Sequence, residues 1–400
     1  MNTERVTTIT IILCACASLW AIGCGGADPR GEYTVHVEPL EGRETVNPLM
    51  EAVQSGDLDG LQELIDGGAD VNKASGGGRT PLMLATALGR IDMVTLLLDR
   101  GASVDMRQAD GATALMVAAG MGDEQMIRLL LDCGADVRAR TDGGITALMF
   151  ASMDGNADLV DLLLQKGARA DAMEEKGESP IIVAAAEGHL DVVRLLLDRE
   201  ISPSTSRTDG KTVLAFAATS GTLALVELLV TSGAVVNTTD DDGGTIMMAA
   251  AFGGDRKIGE LLIAKGADPK AANKKGETPL MVAARKGRTE FVGLLLEAGV
   301  DANVSKSHGL NALMLAAGNG NVGISKMLLD AEAEPNSVNR VGWTPLMFGA
   351  GKGHQEVVTL LLERGADPNV KDGLGQNAAE IARAAGHAKT AQILRKAMGD

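Results

Sequence analysis

Aromatic side chains are scarce in this sequence, since Phe, Trp and Tyr make up only 2% of its 400 residues. Cysteine is almost absent after residue 24, where only Cys133 remains, so a disulfide framework is excluded. The 53 acidic residues outnumber the 37 basic residues, and the formal net charge of −16 argues against sequence-independent binding of nucleic acid. What the chain does have is 45% hydrophobic residues and 50 glycines. This composition predicts many short aliphatic helices that pack closely and are joined by tight turns.

The first 23 residues have the order of a secretory signal peptide. Arg5 precedes a mostly apolar stretch from Val6 to Ile22, and small residues follow. The alternative is a membrane-anchor helix, although about 18 moderately apolar residues would span a bilayer only marginally. The sequence therefore predicts that residues 1–23 are a signal peptide.

A short motif closes this segment. The stretch Ala21-Ile22-Gly23-Cys24 resembles the lipobox of bacterial lipoproteins, whose cysteine receives lipid and becomes the mature N-terminus. The resemblance implies lipid attachment at Cys24, and Gly25 implies sorting to the outer membrane, facing the periplasm. Leu13-Cys14-Ala15-Cys16 is a second candidate, with a very short apolar region before it.

Residues 24–45 are rich in Gly, Glu and Pro and show no helical periodicity. They are predicted to form a flexible tether between the lipid and a repeat domain at 46–400. A tether of about 20 residues spans roughly 25 Å on average, which holds the domain clear of a lipid surface.

The rest of the chain repeats every 33 residues. At eleven successive steps the residue is Thr, Ser or Asn, the types that cap helix N-termini by accepting a free backbone N–H. A glycine stands nine residues after each of these caps and predicts the end of a short helix. Leucine-rich runs between one glycine and the next turn predict a second helix. The predicted caps are Asn47, Thr80, Thr113, Thr146, Ser179, Thr212, Thr245, Thr278, Asn311, Thr344 and Asn377.

One such unit is too small to bury its own apolar face, so neighbouring units must stack. The pattern TPLM-x-A-A-x-x-G, followed by a leucine run and by G-A-D-x-N, resembles the ankyrin repeat. The expected fold is an all-α ankyrin-repeat solenoid of about eleven stacked helix-turn-helix units. The resemblance also implies that the turns and the first helices form a concave face.

Methionine replaces a family residue in a regular way. Three residues after the cap, where ankyrin repeats usually place His, eight units carry Met. We interpret this stripe as core packing, because a flexible thioether fills irregular space. The alternative is an oxidant-sensing or metal-buffering protein of the cell envelope, although single methionines about 10 Å apart cannot share one copper ion. The stripe comprises Met50, Met83, Met116, Met149, Met248, Met281, Met314 and Met347.

Two units depart from the pattern at their last loop. Glu200 and Glu332 stand where the other units have the Gly of Gly-Ala-Asp. That position favours positive φ, which costs a residue with a Cβ atom about 1 kcal/mol. These two joints are therefore predicted to be weaker than the others.

Catalytic groupings are not apparent in the sequence. The five histidines are scattered, and no Ser-His-acid or Cys-His set is visible. His189 and His354 occupy a common position of the family at the start of the second helix, which predicts a structural role. We expect a protein that is not an enzyme, with no cofactor, no metal site and no small-molecule substrate.

In ankyrin-like proteins, partners bind to the turns and to the ends of the first helices. The resemblance therefore implies a protein partner, whose identity the sequence does not give, and Trp343 suits an aromatic anchor unless it packs on Leu310 and Leu374. The predicted function is a non-catalytic, lipid-anchored protein–protein interaction scaffold of the bacterial cell envelope. The predicted partner-binding residues are Leu88, Met121, Met153, Glu187, Phe252, Arg285, Lys286, Trp343 and Lys352.

Overall fold

The computed structural model describes residues 11–13, 33–35 and 47–399. Near the N-terminus, strands β1 (Ile11–Leu13) and β2 (Tyr33–Val35) pair antiparallel. Apart from these strands, the predicted signal peptide, the lipid-attachment residue Cys24 and the predicted tether lie outside the described residues. The remaining described residues form helices joined by short turns.

Each 33-residue repeat contributes two helices, so the described residues contain 22 helices. The first helices are α1 (Pro48–Ser55), α3 (Pro81–Ala87), α5 (Ala114–Gly120), α7 (Ala147–Asp154), α9 (Pro180–Glu187), α11 (Val213–Ser220), α13 (Ile246–Gly253), α15 (Pro279–Lys286), α17 (Ala312–Gly318), α19 (Pro345–Gly351) and α21 (Ala378–Ala384). The second helices are α2 (Leu58–Asp66), α4 (Ile91–Asp99), α6 (Glu124–Asp132), α8 (Ala157–Gln165), α10 (Leu190–Asp198), α12 (Leu223–Thr231), α14 (Arg256–Ala264), α16 (Thr289–Glu297), α18 (Val322–Asp330), α20 (Gln355–Glu363) and α22 (Ala388–Met398). The predicted all-α repeat architecture is confirmed.

The predicted N-caps begin the first helices. The Thr80 hydroxyl accepts a hydrogen bond from the Met83 N–H at 3.2 Å, and Asn377 and Glu380 form a reciprocal capping box. The side chains of Thr113 and Ser179 make no such bond, and both hydroxyl oxygens are buried without a partner. The capping prediction is therefore wrong for those two hydroxyl groups, although both residues stand directly before a helix.

The backbone angles predicted at the two exceptional loops are present in the structure. Among the described residues, Glu200 (φ 64°) and Glu332 (φ 62°) are the non-glycine residues with positive φ. Their equivalents in other units are glycines with similar angles, such as Gly365 at 87°. The prediction of positive φ at both glutamates is confirmed, and each carries the steric cost of a Cβ atom in this conformation.

The repeats form two compact units, the first ending at Asp209 and the second beginning at Gly210. In the first unit α1, α3, α5, α7 and α9 pack in chain order. In the second unit α11, α13, α15, α17, α19 and α21 do the same. Within each unit, neighbouring repeats bury the apolar faces that a single repeat would leave in water.

All eight methionines of the stripe are buried, with at most 2% of each residue exposed. They lie in the first helices, between leucine and small residues such as Leu82 and Ala85. The interpretation of the stripe as core packing is confirmed.

The turn before each first helix projects as a finger, and backbone hydrogen bonds join neighbouring fingers. In the first unit the Asp142 N–H donates to the Asp110 carbonyl at 2.9 Å, and in the second unit the Lys274 N–H donates to the Asp242 carbonyl at 3.0 Å. Since these bonds involve main-chain atoms, the finger tips accept varied side chains.

Candidate functional site

The four residues predicted to bind a partner in the first unit lie at the ends of successive first helices. Leu88 and Met121 are the residues that follow α3 and α5, while Met153 and Glu187 lie in the last turns of α7 and α9. Met121 is 38% exposed, Glu187 is exposed, and the other two are half-buried. The unit therefore presents one side chain per repeat in a row, mainly apolar and then acidic.

Histidine side chains form hydrogen bonds with the last turns of first helices in both units. His189 Nε2 lies 2.8 Å from the Met153 carbonyl oxygen in the first unit, and His354 Nε2 lies 3.1 Å from that of Gly318 in the second. Each ring nitrogen therefore donates its hydrogen to the preceding repeat. Both histidines have the structural role that the sequence predicts.

In the second unit, Phe252, Arg285 and Lys286 come together. The Lys286 Nζ lies 4.1 Å from the centre of the Phe252 ring, a cation–π distance, and Phe252 is only 8% exposed. Loss of solvent by burial, with the positive charges of Arg285 and Arg288, lowers the pKa of Lys286. A partner therefore meets the lysine amine before it meets the ring.

A buried carboxylate fixes the next cations. Glu277 lies just before the cap of α15, and its Oε1 is 2.9 Å from Arg285 Nη1 and 3.5 Å from Lys306 Nζ. The Glu277 side chain is 5% exposed, so its charge is compensated inside the protein rather than displayed. Arg285 and Lys306 together exceed this carboxylate by one positive charge.

Trp343 is half-buried. Its ring meets that of Phe348 edge to face, with centroids 5.3 Å apart, and its indole N–H donates to Asp372 at 3.1 Å. Leu374 is 85% exposed, so it contributes little to the packing of Trp343, whereas packing of Trp343 on Leu310 stays a prediction.

The environment of Asp372 explains its charge state. Hydrogen bonds from the backbone N–H groups of Gln376 and Leu374, with the indole of Trp343, lower the pKa of Asp372 against the opposing effect of burial. The carboxylate therefore stays ionised and orients the indole. Lys352 follows α19 and is exposed, and it adds a cation to the face that carries Trp343.

Sequence reasoning missed Glu277, Lys306 and Asp372 as parts of this face. Each lies in a finger, and Glu277–Lys306 and Trp343–Asp372 are both separated by 29 residues. A search for complementary residue types at that spacing could have found them. The finger-to-finger backbone bonds have no side-chain signature and could not have been found in this way.

No helix among the described residues has the length and apolar character needed to cross a membrane. Within residues 47–399, no three His, Cys, Asp or Glu side chains are grouped to hold a metal ion. Cys133 is an exposed free thiol that follows α6.

Comparison with known protein families agrees with this architecture. The family described as ankyrin repeats (3 copies) matches residues 49–141, 137–207, 214–306, 246–339, 280–372 and 326–399. No curated protein sequence gives a significant match. The matched segments cover most of the chain, and ankyrin repeats indicate a protein–protein interaction scaffold. The chain belongs to the ankyrin-repeat family.

Proposed function

We propose that this protein is a non-catalytic scaffold, anchored in the bacterial cell envelope by lipid on Cys24, that holds a protein partner against its fingers and first-helix ends. The observation that carries the proposal is a contrast between positions of the repeat. The cap, the methionine and the helix-ending glycine recur from repeat to repeat, whereas the residues at the first-helix ends differ in chemistry.

That contrast matters because the recurring positions are the ones that folding requires. Met83, Met281 and Met347 are buried alike, while the first-helix ends carry Met121 in one repeat and Lys352 in another. Variation on an otherwise uniform stack is typical of a surface that recognises something specific. A protein partner fits better than a small molecule, since the variable residues are spread over successive repeats.

The envelope location rests on the N-terminal sequence. The apolar stretch before Cys24, the small residue Gly23 and the following Gly25 support lipid attachment and placement at the outer membrane, facing the periplasm. In this proposal the chain meets the membrane only through its lipid.

Site-directed photocrosslinking in cells tests partner binding. A photoreactive residue is placed at Met121 or Lys352 on the finger side, or at Lys257 or Lys326 on the second helices α14 and α18. All four positions are exposed. We expect discrete crosslinked proteins from the first pair and none from the second. Crosslinks only from the second helices, or from none of the four, would contradict the scaffold surface.

Metabolic labelling with a fatty-acid analogue tests the anchor separately. The Cys24→Ala variant should lose the label, and the Cys16→Ala variant should keep it. Full labelling of the Cys24→Ala variant would remove the lipid from the proposal without affecting the partner surface.

A further inference from the structure

Three successive fingers of the second unit concentrate positive charge, whereas the finger segment before them, residues 239–255, contains Asp240, Asp241, Asp242 and Asp255 and no Lys or Arg. We define a finger segment as the residues from six before an N-cap to ten after it. Segments 272–288, 305–321 and 338–354 contain a single acidic residue, Glu277. Against it stand eight cations, namely Lys274, Lys275, Arg285, Lys286, Arg288, Lys306, Arg340 and Lys352. In a chain with a net charge of −16, this excess does not follow from composition.

Three successive segments of the first unit have the opposite balance. Segments 107–123, 140–156 and 173–189 contain three cations, Arg107, Arg140 and Lys176. They contain eight acidic residues, namely Asp110, Asp123, Asp142, Asp154, Glu174, Glu175, Glu178 and Glu187. The same backbone positions therefore carry opposite charge in these two sets of three segments, which shows that neither sign is required by the repeat.

Most of the cations in these three segments are exposed to solvent. Glu277 is buried and pairs with Arg285 and Lys306. The exposed cations of these segments are Lys274, Lys275, Arg288, Arg340 and Lys352. Acids border these segments on both sides, since Lys274 bonds the Asp241 carbonyl and Trp343 bonds Asp372. Within the three segments the exposed cations have a single acidic residue beside them, so the middle of this face attracts negatively charged groups.

Apolar side chains lie beside these cations. Val338 is 54% exposed and Val341 is 60% exposed, and both belong to the finger that carries Arg340. Trp343 follows in the same finger, where its ring meets that of Phe348. The face therefore offers apolar contact together with positive charge, a combination that a purely ionic ligand would use only in part.

We propose that the finger segments 272–288, 305–321 and 338–354 bind an acidic segment of a partner protein that also carries bulky apolar side chains. The inference rests on the scaffold function proposed above and names the class of partner. Three fingers at steps of about 10 Å span roughly 20 Å, which about seven residues cover in an extended conformation.

Some of the cations are held in fixed positions, which favours a polypeptide with carboxylates at defined spacing. Lys286 lies over Phe252 and Arg285 is paired with Glu277, so their charged groups lose little freedom on binding. A lipid headgroup layer needs no such order, because flexible basic segments bind it equally well.

Fluorescence anisotropy tests the proposal with the full chain. The probe is a fluorescein-labelled heptapeptide in which one phenylalanine is flanked by three glutamates on each side. We expect binding that weakens as salt increases. The Arg340→Gln/Lys352→Gln variant removes two exposed charges and should weaken binding about tenfold, since each exposed ion pair contributes up to about 1 kcal/mol.

The matched control is Lys257→Gln/Lys326→Gln, which makes the same change in net charge on exposed positions of α14 and α18. It should change binding less than about twofold. A peptide with alanine in place of phenylalanine should bind more weakly, and one with lysine in place of glutamate should not bind. Thermal unfolding followed by circular dichroism confirms that both variants fold.

Three outcomes would overturn the inference. One is equal loss of binding in the two variants. Another is binding of phosphatidylglycerol vesicles but not of the peptide, which would assign the face to anionic lipid. The third is a dimer in sedimentation that Arg340→Gln/Lys352→Gln disrupts, which would make a second copy of the chain the occupant. If the peptide fails while photocrosslinking at Met121 captures a partner, the inference is wrong and the scaffold function stands.

Discussion

Glu178 pairs with Arg207 across two neighbouring fingers of the first unit, with Oε1 3.1 Å from Nη1 and both side chains largely buried. The two residues are 29 positions apart, the separation that also joins Glu277 to Lys306 in the second unit. The residue just before a cap thus faces the first part of the next finger. Because a buried carboxylate is costly unless it is paired, the contact links the charge of one repeat to the position of the next.

The Glu178 pair predicts a pH dependence of stability. Burial raises the pKa of Glu178 above its ordinary value of 4.5; the charge of Arg207 opposes this rise, and Glu174 adds to it. The folded chain therefore holds the proton more tightly than the unfolded chain. The stability contributed by neutral Glu178 is complete below pH 4.5 and is lost as pH rises through the raised pKa.

Replacement of Glu178 by glutamine removes this titration. We expect the urea midpoint of Glu178→Gln, relative to that of the wild type, to increase as the pH is raised from about 4 to about 7. Glu175→Gln is the control, since Glu175 is exposed in the same finger, and its difference from the wild type should not change in this way. A constant difference between Glu178→Gln and wild type at every pH would contradict the assignment.

The positive φ at Glu332 predicts that glycine at this position makes the folded chain more stable. Glu332→Gly should raise the free energy of unfolding by about 0.5–1 kcal/mol, because the relief of the left-handed Cβ strain exceeds the extra entropy of glycine in the unfolded chain.

Replacement of the glycine at the equivalent position of the next repeat provides the matched control. Gly365 occupies the equivalent loop with φ 87°, and no atom would lie within 4 Å of an added Cβ. Gly365→Ala should therefore destabilise the chain through backbone conformation alone, by about 1 kcal/mol. Equal unfolding midpoints for Glu332→Gly, Gly365→Ala and wild type in urea would show that the loop conformation carries no cost.

An asparagine bridge predicts a second stability effect. Asn336 donates from Nδ2 to the Gly365 carbonyl at 3.0 Å and accepts at Oδ1 from the Asp367 N–H at 2.8 Å. Asn336→Ala breaks both bonds between adjacent loops and should lower the free energy of unfolding by about 1–2 kcal/mol. Asn369 is the matched control, since it holds the equivalent sequence position and its side chain bonds Asp367 within its own loop. A loss as large in Asn369→Ala as in Asn336→Ala would show that the bridge is not the cause.

The sequence predicts those features that depend on the backbone needs of a single position. A cap such as Thr80, a left-handed residue such as Gly365 and the strained Glu332 are set by local conformation, and the 33-residue period repeats the requirement. The fold and the positive φ at the two glutamates therefore follow from residue type and spacing.

The side-chain contacts at the first-helix ends and in the fingers cannot be predicted from residue type and spacing, because they depend on which side chains meet across repeats. Lys286 covers Phe252, and Trp343 turns towards Phe348 and Asp372. A pattern of single positions does not contain these contacts. The sequence could place Phe252 and Trp343 near the correct helix ends and fingers, but it could not show that Phe252 is covered.

The burial of the methionine stripe predicts resistance to oxidation. Each of the eight methionines is at most 2% exposed, whereas Met121 is 38% exposed and Met173 is 44% exposed. Hydrogen peroxide should oxidise Met121 and Met173 at least about tenfold faster than the stripe, because oxidation of a buried thioether requires local opening of the stack. Peptide mass spectrometry over a time course measures each rate in the same sample.

Repetition of the peroxide time course in urea provides the control. In the unfolded chain all ten methionines should react at similar rates, since the thioether groups no longer differ in exposure. The ratio of folded to unfolded rates then measures protection by packing at each repeat. If the stripe in the folded chain reacted as fast as Met121, the stack would admit oxidant, and an oxidant-sensing function of these buried methionines would be supported.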